Sequence, residues 1–274
     1  MKIAVISDIH GNLEALNAVL QDIETQEIDK IFICGDLAMG GPEPEKTVDK
    51  IIELLKQKKA AIILGNTDEM IIKAFGKQEK EYTPADETMA ASLKYTQQIL
   101  RPDQIEFLKQ LPLKHKEKIG KLEILFVHGS PRKINENISP DLDEKILREI
   151  LSGTQEDIIF CGHTHLPVIY KINNQTIVNV GSVGRPFTEN PEACYAILDY
   201  PASDRMSSKP AGGQSPTFGF STPASYSKDF NISHKFVKYD KETTAKKLQK
   251  LPFSGSEKLA QVILHPLDRH DLFK

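Results

Sequence analysis

Five short apolar runs, each followed by residues that could bind a metal ion, constrain the fold of this chain more than any other feature. Their length and β-branched content predict buried strands, because strands covered on both faces are apolar throughout and do not alternate. The runs and the residues after them are Ile3 to Ile6 with Asp8 and His10, Ile31 to Ile33 with Asp36, Ala60 to Leu64 with Asn66, Leu122 to Val127 with His128, and Ile158 to Phe160 with His163 and His165. Open α/β sheets bind ligands at the carboxyl ends of their strands. We therefore expect these seven oxygen and imidazole donors to meet at one edge of a sheet.

The first half of the chain alternates these strands with segments of helical periodicity. A helix is predicted after Asn12, where apolar residues recur at spacings of three and four, and a second helix is predicted around Val48 to Leu55. Strands separated by helices are typical of βαβ units and a mainly parallel sheet, so the predicted fold class is α/β. After a helix around Asp141 to Leu151, strands are predicted at Gln175 to Val180 and Cys194 to Leu198. No helix separates these later strands, which favours antiparallel pairing.

Two segments are expected to depart from this pattern within a single domain of residues 1–274. Helix formers without strand runs predict a helical insertion at residues 69–112, which we expect to overhang the site as a cap. Residues 201–230 are rich in Pro, Ser and Gly and predict a flexible loop, because they bury too little apolar area to offset the ordering entropy. A strand at His234 to Tyr239 and a helix at Lys241 to Leu251 complete the predicted domain.

Composition narrows the class of protein. With 274 residues, 39% of them hydrophobic, the chain can form one large core. Neither a targeting segment nor an apolar run of membrane length is visible, so we expect a soluble, cytoplasmic protein with no membrane partner. The odd number of cysteines, Cys34, Cys161 and Cys194, indicates buried, reduced thiols. The net charge of -3 argues against a nucleic-acid partner, and Lys56 to Lys59 and Lys114 to Lys121 are interpreted as solvated helix ends and loops.

The donor types define the kind of metal site that is expected. Carboxylate, amide and imidazole ligands together suit ions such as Mn, Fe, Co or Zn, and the absence of a ligand-like Cys pair argues against a structural zinc site. Seven donors are too many for one open catalytic ion, but two ions that share a carboxylate would use them well, and Asp36 is the natural bridge. A water between two cations loses its proton at neutral pH, and the same cations neutralise the oxygens of a phosphoryl group.

At these residues the chain resembles the calcineurin-like metallophosphoesterase superfamily. The family pattern of Asp-x-His, Gly-Asp, Gly-Asn, a single His and Gly-His-x-His is matched in order by Asp8 and His10, Gly35-Asp36, Gly65-Asn66, His128, and Gly162-His163-Thr164-His165. The resemblance runs from Met1 to about Asp199 and resumes near His234. Two further segments, Val127 to Pro131 and Asn179 to Gly184, are similar to the branch of small prokaryotic phosphoesterases related to diadenosine tetraphosphatases.

This resemblance implies a fold, a cofactor and an activity. The implied fold is a four-layer α/β/β/α sandwich of two mixed β-sheets, and the cofactor is a pair of divalent or trivalent ions such as Mn, Fe, Zn, Co or Ni. The implied ligands are Asp8, His10 and His165 for one ion, Asn66, His128 and His163 for the other, and Asp36 for both. The implied activity is hydrolysis of a small phosphate ester or nucleotide substrate, with Asp36, Asn66 and His128 as the catalytic residues.

One departure from the family pattern bears on mechanism. Many relatives carry His directly after the Asn, where it binds phosphate or protonates the leaving group, but this chain has Thr67 there, followed by Asp68. Thr67 cannot be a general acid and is a candidate substrate contact only, while Asp68 could orient a ligand histidine. We therefore expect substrates with acidic leaving groups, such as aryl esters or polyphosphate chains, to be favoured.

Two arginines near motif glycines, Arg132 and Arg185, are candidate phosphate contacts, because a guanidinium can bind two oxygens at once; an ordinary ion pair is the alternative for each. Several functions stay open at this point. They are a phosphodiesterase or phosphomonoesterase, a diadenosine tetraphosphate-type or protein serine/threonine phosphatase, and a non-catalytic scaffold like the retromer subunit of this superfamily. All seven motif ligands are present, which favours an enzyme. The sequence leaves the oligomeric state open, a homo-oligomer included.

Overall fold

The computed structural model describes residues 1–57, 60–75, 86–189, 192–201, 217–219 and 230–265. Within these ranges the chain forms eleven strands and eight helices. In chain order they are β1 (Lys2–Ile6), α1 (Leu13–Glu24), β2 (Lys30–Ile33), α2 (Pro44–Lys56), β3 (Ala60–Ile62), α3 (Asn66–Ala74), α4 (Glu87–Ile99), α5 (Pro102–Lys109), β4 (Lys114–Ile119), β5 (Leu122–Val127), α6 (Glu144–Ile150), β6 (Ile158–Cys161), β7 (Val168–Ile172), β8 (Gln175–Asn179), β9 (Ala193–Asp199), β10 (Thr217–Gly219), β11 (Asn231–Val237), α7 (Lys241–Gln249) and α8 (Ser256–Leu264). None of the helices in these ranges has the length and apolarity needed to cross a membrane.

The strands form two mixed sheets. The first sheet has the order β11-β9-β1-β2-β3, in which β1, β2 and β3 run parallel and each of β9 and β11 is antiparallel to its neighbour. The second has the order β10-β7-β8-β6-β5-β4, in which β5, β6 and β8 run parallel, β4 is antiparallel to β5, β7 is antiparallel to β8, and β10 runs parallel to β7. The parallel strands contain the apolar runs of the sequence, because both of their faces are covered.

Apolar side chains fill the spaces between four layers. A stack of aromatic rings lies between the sheets, where the ring centroid of Phe126 is 4.0 Å from that of Phe32 and 5.5 Å from that of Phe160. Helices α1 to α5 cover the other face of the first sheet, and α6 covers the second sheet with Leu147 and Ile150. The predicted α/β/β/α sandwich is therefore confirmed.

Two expectations about individual strands are wrong. Lys114 to Lys121 is not a solvated loop, because Lys114–Ile119 forms β4 at the edge of the second sheet. Its lysines are exposed, whereas the residues between them are partly buried and the strand ends at the buried Ile119. Exposed and buried positions therefore alternate with the period of two that is typical of a strand, although the segment is highly charged. The expected antiparallel pairing is wrong for one pair of the predicted strands only: β7 with β8, and β9 with β1 and β11, are antiparallel, but β8 runs parallel to β6.

The predicted insertion at residues 69–112 is helical in its described part. Helix α3 packs against α4 and α5, and both α4 and α5 pack against α2. Leu93, Ile105 and Leu108 of α4 and α5 are buried in the core above the first sheet. These helices thereby extend the outer helical layer, and their role as a cap over the site stays a prediction. Residues 76–85 and most of the predicted 201–230 loop lie outside the described ranges.

Candidate metal centre

The predicted donors come together at the seam between the two sheets. The expectation of a single sheet edge is wrong, because the five strands before the donors belong to both sheets: β1, β2 and β3 to the first, and β5 and β6 to the second. The carboxyl ends of all five strands open onto the same seam. The first sheet brings Asp8, His10, Asp36 and Asn66, and the second brings His128, His163 and His165.

One cluster consists of Asp8, His10 and His165, which we call the His10 group. Their ligand atoms lie within 4.8 Å of one another. The Nε2 atoms of His10 and His165 are 3.1 Å apart, and Asp8 Oδ1 lies 3.2 Å from Nε2 of His165. All three residues are buried, and Asp8 Oδ1 has no hydrogen-bond partner among the described residues. This oxygen is therefore available to a ligand from outside the chain.

A second cluster surrounds His128. Its Nε2 lies 2.8 Å from Asn66 Oδ1 and 3.5 Å from Asp36 Oδ1, and we call these three residues the His128 group. The other oxygen of Asp36, Oδ2, lies 3.7 Å from Nε2 of His10, so the two oxygens of this carboxylate face the two groups. His163 lies beside His128, and their ring centroids are 5.3 Å apart. Among the described residues, however, His163 does not belong to a group of three Asp, Glu, Cys or His side chains whose ligand atoms all lie within 4.8 Å of one another.

Hydrogen bonds to main-chain carbonyls orient three of the histidines. Each ring donates from Nδ1 over 2.6 Å: His10 to Met39 O, His128 to Cys34 O and His165 to Arg185 O. Because a carbonyl can only accept, Nδ1 carries a proton in all three rings, and any of these rings that is neutral presents the lone pair of Nε2 to the seam. In the His10 group two such lone pairs face each other beside an unpartnered carboxylate oxygen. This donor set fits a bound cation.

Left-handed backbone occurs at five of the seven predicted ligands. The φ angles are 55° for Asp8, 51° for His10, 57° for Asp36, 69° for His163 and 59° for His165. Such a conformation costs a non-glycine residue roughly 1–3 kcal/mol and persists only where the surrounding structure fixes it. Among the other described non-glycine residues, only Glu27 and Asn173 have a left-handed conformation. Most of the backbone strain of this kind in the described residues therefore lies at the candidate metal centre.

The buried charges of the centre shift one another's pKa values. Burial opposes ionisation of Asp36, but His128 and His10 outweigh it and lower the pKa of Asp36 to about 2. Burial also disfavours a charged His128, yet Asp36 and Asp8 raise the pKa of His128 to about 10. Burial and the neighbouring His128 lower the pKa of His163 to about 4. Asp8 and Asp36 are thus ionised beside a positively charged His128, and a cation that bound Nε2 of His128 would have to displace its proton.

Comparison with known proteins gives the family of this chain. The sequence model of the calcineurin-like phosphoesterase superfamily domain matches residues 1–203. The chain belongs to this superfamily. An uncharacterised protein of Methanocaldococcus jannaschii is 33% identical over 214 residues, which cover 72% of this chain and 82% of that relative.

Two solved structures share the fold along nearly the whole of this chain. A hypothetical protein from Pyrococcus horikoshii has a TM-score of 0.79 at 25% sequence identity, and the match covers 97% of this chain and 99% of that one. A metallophosphoesterase from Sphaerobacter thermophilus has a TM-score of 0.69 at 24% identity, again covering 97% of this chain and 99% of its own. The shared architecture therefore extends past the matched domain to the last strands and helices.

Asp68 connects two loops of the candidate metal centre. Its Oδ2 accepts hydrogen bonds from the amides of Asp36 at 2.8 Å and Gly65 at 3.1 Å, and its Oδ1 accepts one from the amide of Leu37 at 2.9 Å. The expectation that Asp68 orients a ligand histidine is therefore wrong, since it holds the main chain of Asp36 instead. The sequence feature that indicates this role is the position of Asp68 three residues after Gly65, because a carboxylate at this capping-box position of α3 accepts hydrogen bonds from the main chain.

The loop before α3 approaches Asp36 at backbone distance. A Cβ atom on Gly65 would lie 2.1 Å from both the amide nitrogen and Oδ1 of Asp36, so only glycine fits there. The amide of Thr67 donates to Asp36 Oδ1 at 2.9 Å. The Thr67 hydroxyl is buried and has no hydrogen-bond partner among the described residues, which leaves it free to contact a ligand.

The two candidate phosphate contacts lie in different surroundings. Arg185 is next to the His10 group, and its Nε is buried without a partner in the described part of the chain. Its guanidinium lies 5.6 Å from the ring centre of Phe187, which stacks on His165 at 4.6 Å. Arg132 is exposed, and its Nε donates to Glu136 at 3.1 Å. The ion-pair alternative therefore describes Arg132, while Arg185 keeps a free donor close to the centre.

We expect the Asp68→Asn substitution to loosen the centre, because an amide NH2 would face main-chain N–H donors where a carboxylate oxygen now accepts. The unfolding free energy should fall by about 1–3 kcal/mol, and Mn²⁺ affinity should fall about tenfold or more. Urea unfolding and calorimetric titration with Mn²⁺ measure the two effects. The control is Asp157→Asn, since Asp157 accepts the Glu123 amide at 3.0 Å near the opposite end of β6. Equal Mn²⁺ affinity in both variants would show that Asp68 does not position the ligands.

Proposed function

We propose that this phosphoesterase hydrolyses phosphodiester, phosphomonoester or phosphoanhydride bonds with two metal ions, one held by the His10 group and one by the His128 group. The observation that carries the proposal is the facing pair of Nε2 atoms of His10 and His165, 3.1 Å apart beside the buried, unpartnered Oδ1 of Asp8. Buried lone pairs and charges of this kind need a compensating positive charge. Mixed oxygen and imidazole donors suit Mn, Fe, Zn, Co or Ni.

Each residue of the candidate centre would have a separate role in binding the ions or the substrate. Bound ions would supply a water that is deprotonated at neutral pH and would neutralise phosphoryl oxygens. Asp36 would face both groups, held in place by the amide of Thr67 and by Asp68. His163, which is next to His128, would complete the second ligand set. The guanidinium of Arg185 would bind phosphate oxygens, since its donors suit two oxygens at once.

We also propose that substrates with acidic leaving groups are preferred. Thr67 occupies the position from which a histidine could protonate the leaving group, and a hydroxyl is too weak an acid for that task. Arg185 cannot take its place, because a guanidinium does not release its proton in proteins. Aryl oxides and polyphosphate chains depart without protonation, so the centre can release them unaided.

Metal-dependent turnover of bis(p-nitrophenyl) phosphate tests the proposed activity. We expect hydrolysis with added Mn²⁺, its loss in EDTA, and a fall of about 100-fold or more in Asp36→Ala, because that carboxylate would contact both ions. The control is Asp29→Ala, an aspartate just before the amino end of β2. No metal-dependent turnover, or full turnover in Asp36→Ala, would favour the non-catalytic scaffold.

The leaving-group preference is tested with a series of phosphate esters that differ only in the acidity of the alcohol. We expect kcat/KM to fall steeply from p-nitrophenyl to phenyl to methyl esters, because each step raises the need for protonation. The substitution Thr67→His should flatten this dependence by adding a proton donor at that position. Equal rates on methyl and p-nitrophenyl esters in the wild-type protein would contradict the preference.

A further inference from the structure

A C-terminal segment outside the matched family domain packs against the candidate metal centre. The domain match ends at residue 203, whereas residues 230–265 form β11, α7 and α8. Strand β11 pairs with β9 along its whole length, and the two helices share a small apolar core that includes Leu248 and Leu259. Helix α7 also packs against α1, which begins just after the loop that carries Asp8 and His10.

A buried hydroxyl of α7 contacts this loop directly. Thr244 is fully buried, and its Oγ1 lies 3.1 Å from Oδ1 of Asn12 and 3.3 Å from the carbonyl of Asp240 in its own helix, so the Asn12 oxygen is the nearer acceptor for its single proton. The same Asn12 oxygen accepts from the amide of Ala15, and its Nδ2 donates to Gly184 O at 2.8 Å. Since Asn12 uses its oxygen on one side and its nitrogen on the other, the contact with Thr244 helps to fix which end of the amide faces Gly184.

The contact of Thr244 with Asn12 leads to both histidines of the His10 group. Asn12 lies two residues after His10. Gly184 precedes Arg185, whose carbonyl accepts the Nδ1 hydrogen bond of His165. Thus a single amide side chain links the loop of His10 to Gly184, the residue directly before the one whose carbonyl orients His165, and Thr244 contacts that amide from the C-terminal segment.

Lys247 gives a second contact on the same side of the centre. It forms ion pairs with Glu14, in the first turn of α1, and with Glu43. The amide of Glu43 donates to Gly11 O at 2.9 Å, next to His10. Lys247 keeps 38% of its side-chain surface exposed, so these pairs are screened and the buried Thr244 contact is the stronger constraint.

Helix α7 contacts the centre on one side only. Within the described residues, it makes no hydrogen bond to the loops that carry Asn66 and His128. Those loops are held by Asp68, through the amides of Asp36 and Gly65, and by the carbonyl of Cys34. The contacts of α7 are therefore specific to the His10 group.

We propose that Thr244 is a positioning residue that sets the metal affinity of the His10 group through Asn12, and that it leaves the His128 group unaffected. The inference rests on the proposed function, because it requires that the centre binds metal. It assigns the C-terminal segment a role in metal binding, although that segment lies beyond the matched family domain.

Calorimetric titration of the full-length protein with Mn²⁺ tests this inference without recourse to turnover. Thr244→Val removes the hydroxyl at nearly constant volume, and Thr244→Ser restores it. The matched control is Thr96→Val, because Thr96 is equally buried and its Oγ1 donates to Ser92 O at 2.8 Å within α4. The binding step of the His10 group is assigned with His165→Ala, which lacks one of its donors.

We expect Thr244→Val to weaken that one step about tenfold, as loss of a residue that orients metal ligands commonly does. The other step should be unchanged, Thr244→Ser should bind both ions like the wild-type protein, and Thr96→Val should do the same. Equal affinities in Thr244→Val and Thr96→Val, or an equal loss in both steps of Thr244→Val, would overturn the role of Thr244. Absence of Mn²⁺ binding by the wild-type protein would instead overturn the proposed function itself.

Discussion

The repulsion between buried ligand atoms at the seam of the two sheets is the constraint on which the rest of the structure depends. Two ionised carboxylates, Asp8 and Asp36, lie among imidazoles whose Nε2 atoms point at one another rather than at hydrogen-bond donors. In a buried place this arrangement is unfavourable unless positive charge enters it. The same arrangement becomes favourable around cations, so the fold must hold the donors in place before the ions bind.

The surrounding fold holds the donors by hydrogen bonds that leave their ligand atoms free. Main-chain carbonyls orient the three histidines from Nδ1, and Asp68 fixes the main chain of Asp36. Rigid, buried strands lead into each of these loops, and the left-handed backbone at the ligands is supported by this packing. From the outer side, Asn12 and Thr244 connect the two histidine loops of the His10 group.

The sequence predicts much of this arrangement because burial on both faces makes a strand apolar throughout, and a polar residue directly after such a strand is conspicuous. The positions of the candidate ligands Asp8, Asp36 and His128 follow from that pattern. It does not reveal that the strands belong to two sheets, since pairing between distant segments has no local signal. Strand β4 was missed because an edge strand needs only one covered face, and its lysines hide the alternation. The contacts of Asp68 and Thr244 also depend on residues that meet only in the folded chain.

The most direct test of a two-ion centre is anomalous diffraction from crystals grown with Mn²⁺, recorded above and below the manganese absorption edge. A two-ion centre should give two anomalous peaks, one among Asp8, His10 and His165 and one beside Asn66 and His128, with Asp36 between them. A single peak, or peaks that do not contact Asp36, would contradict it.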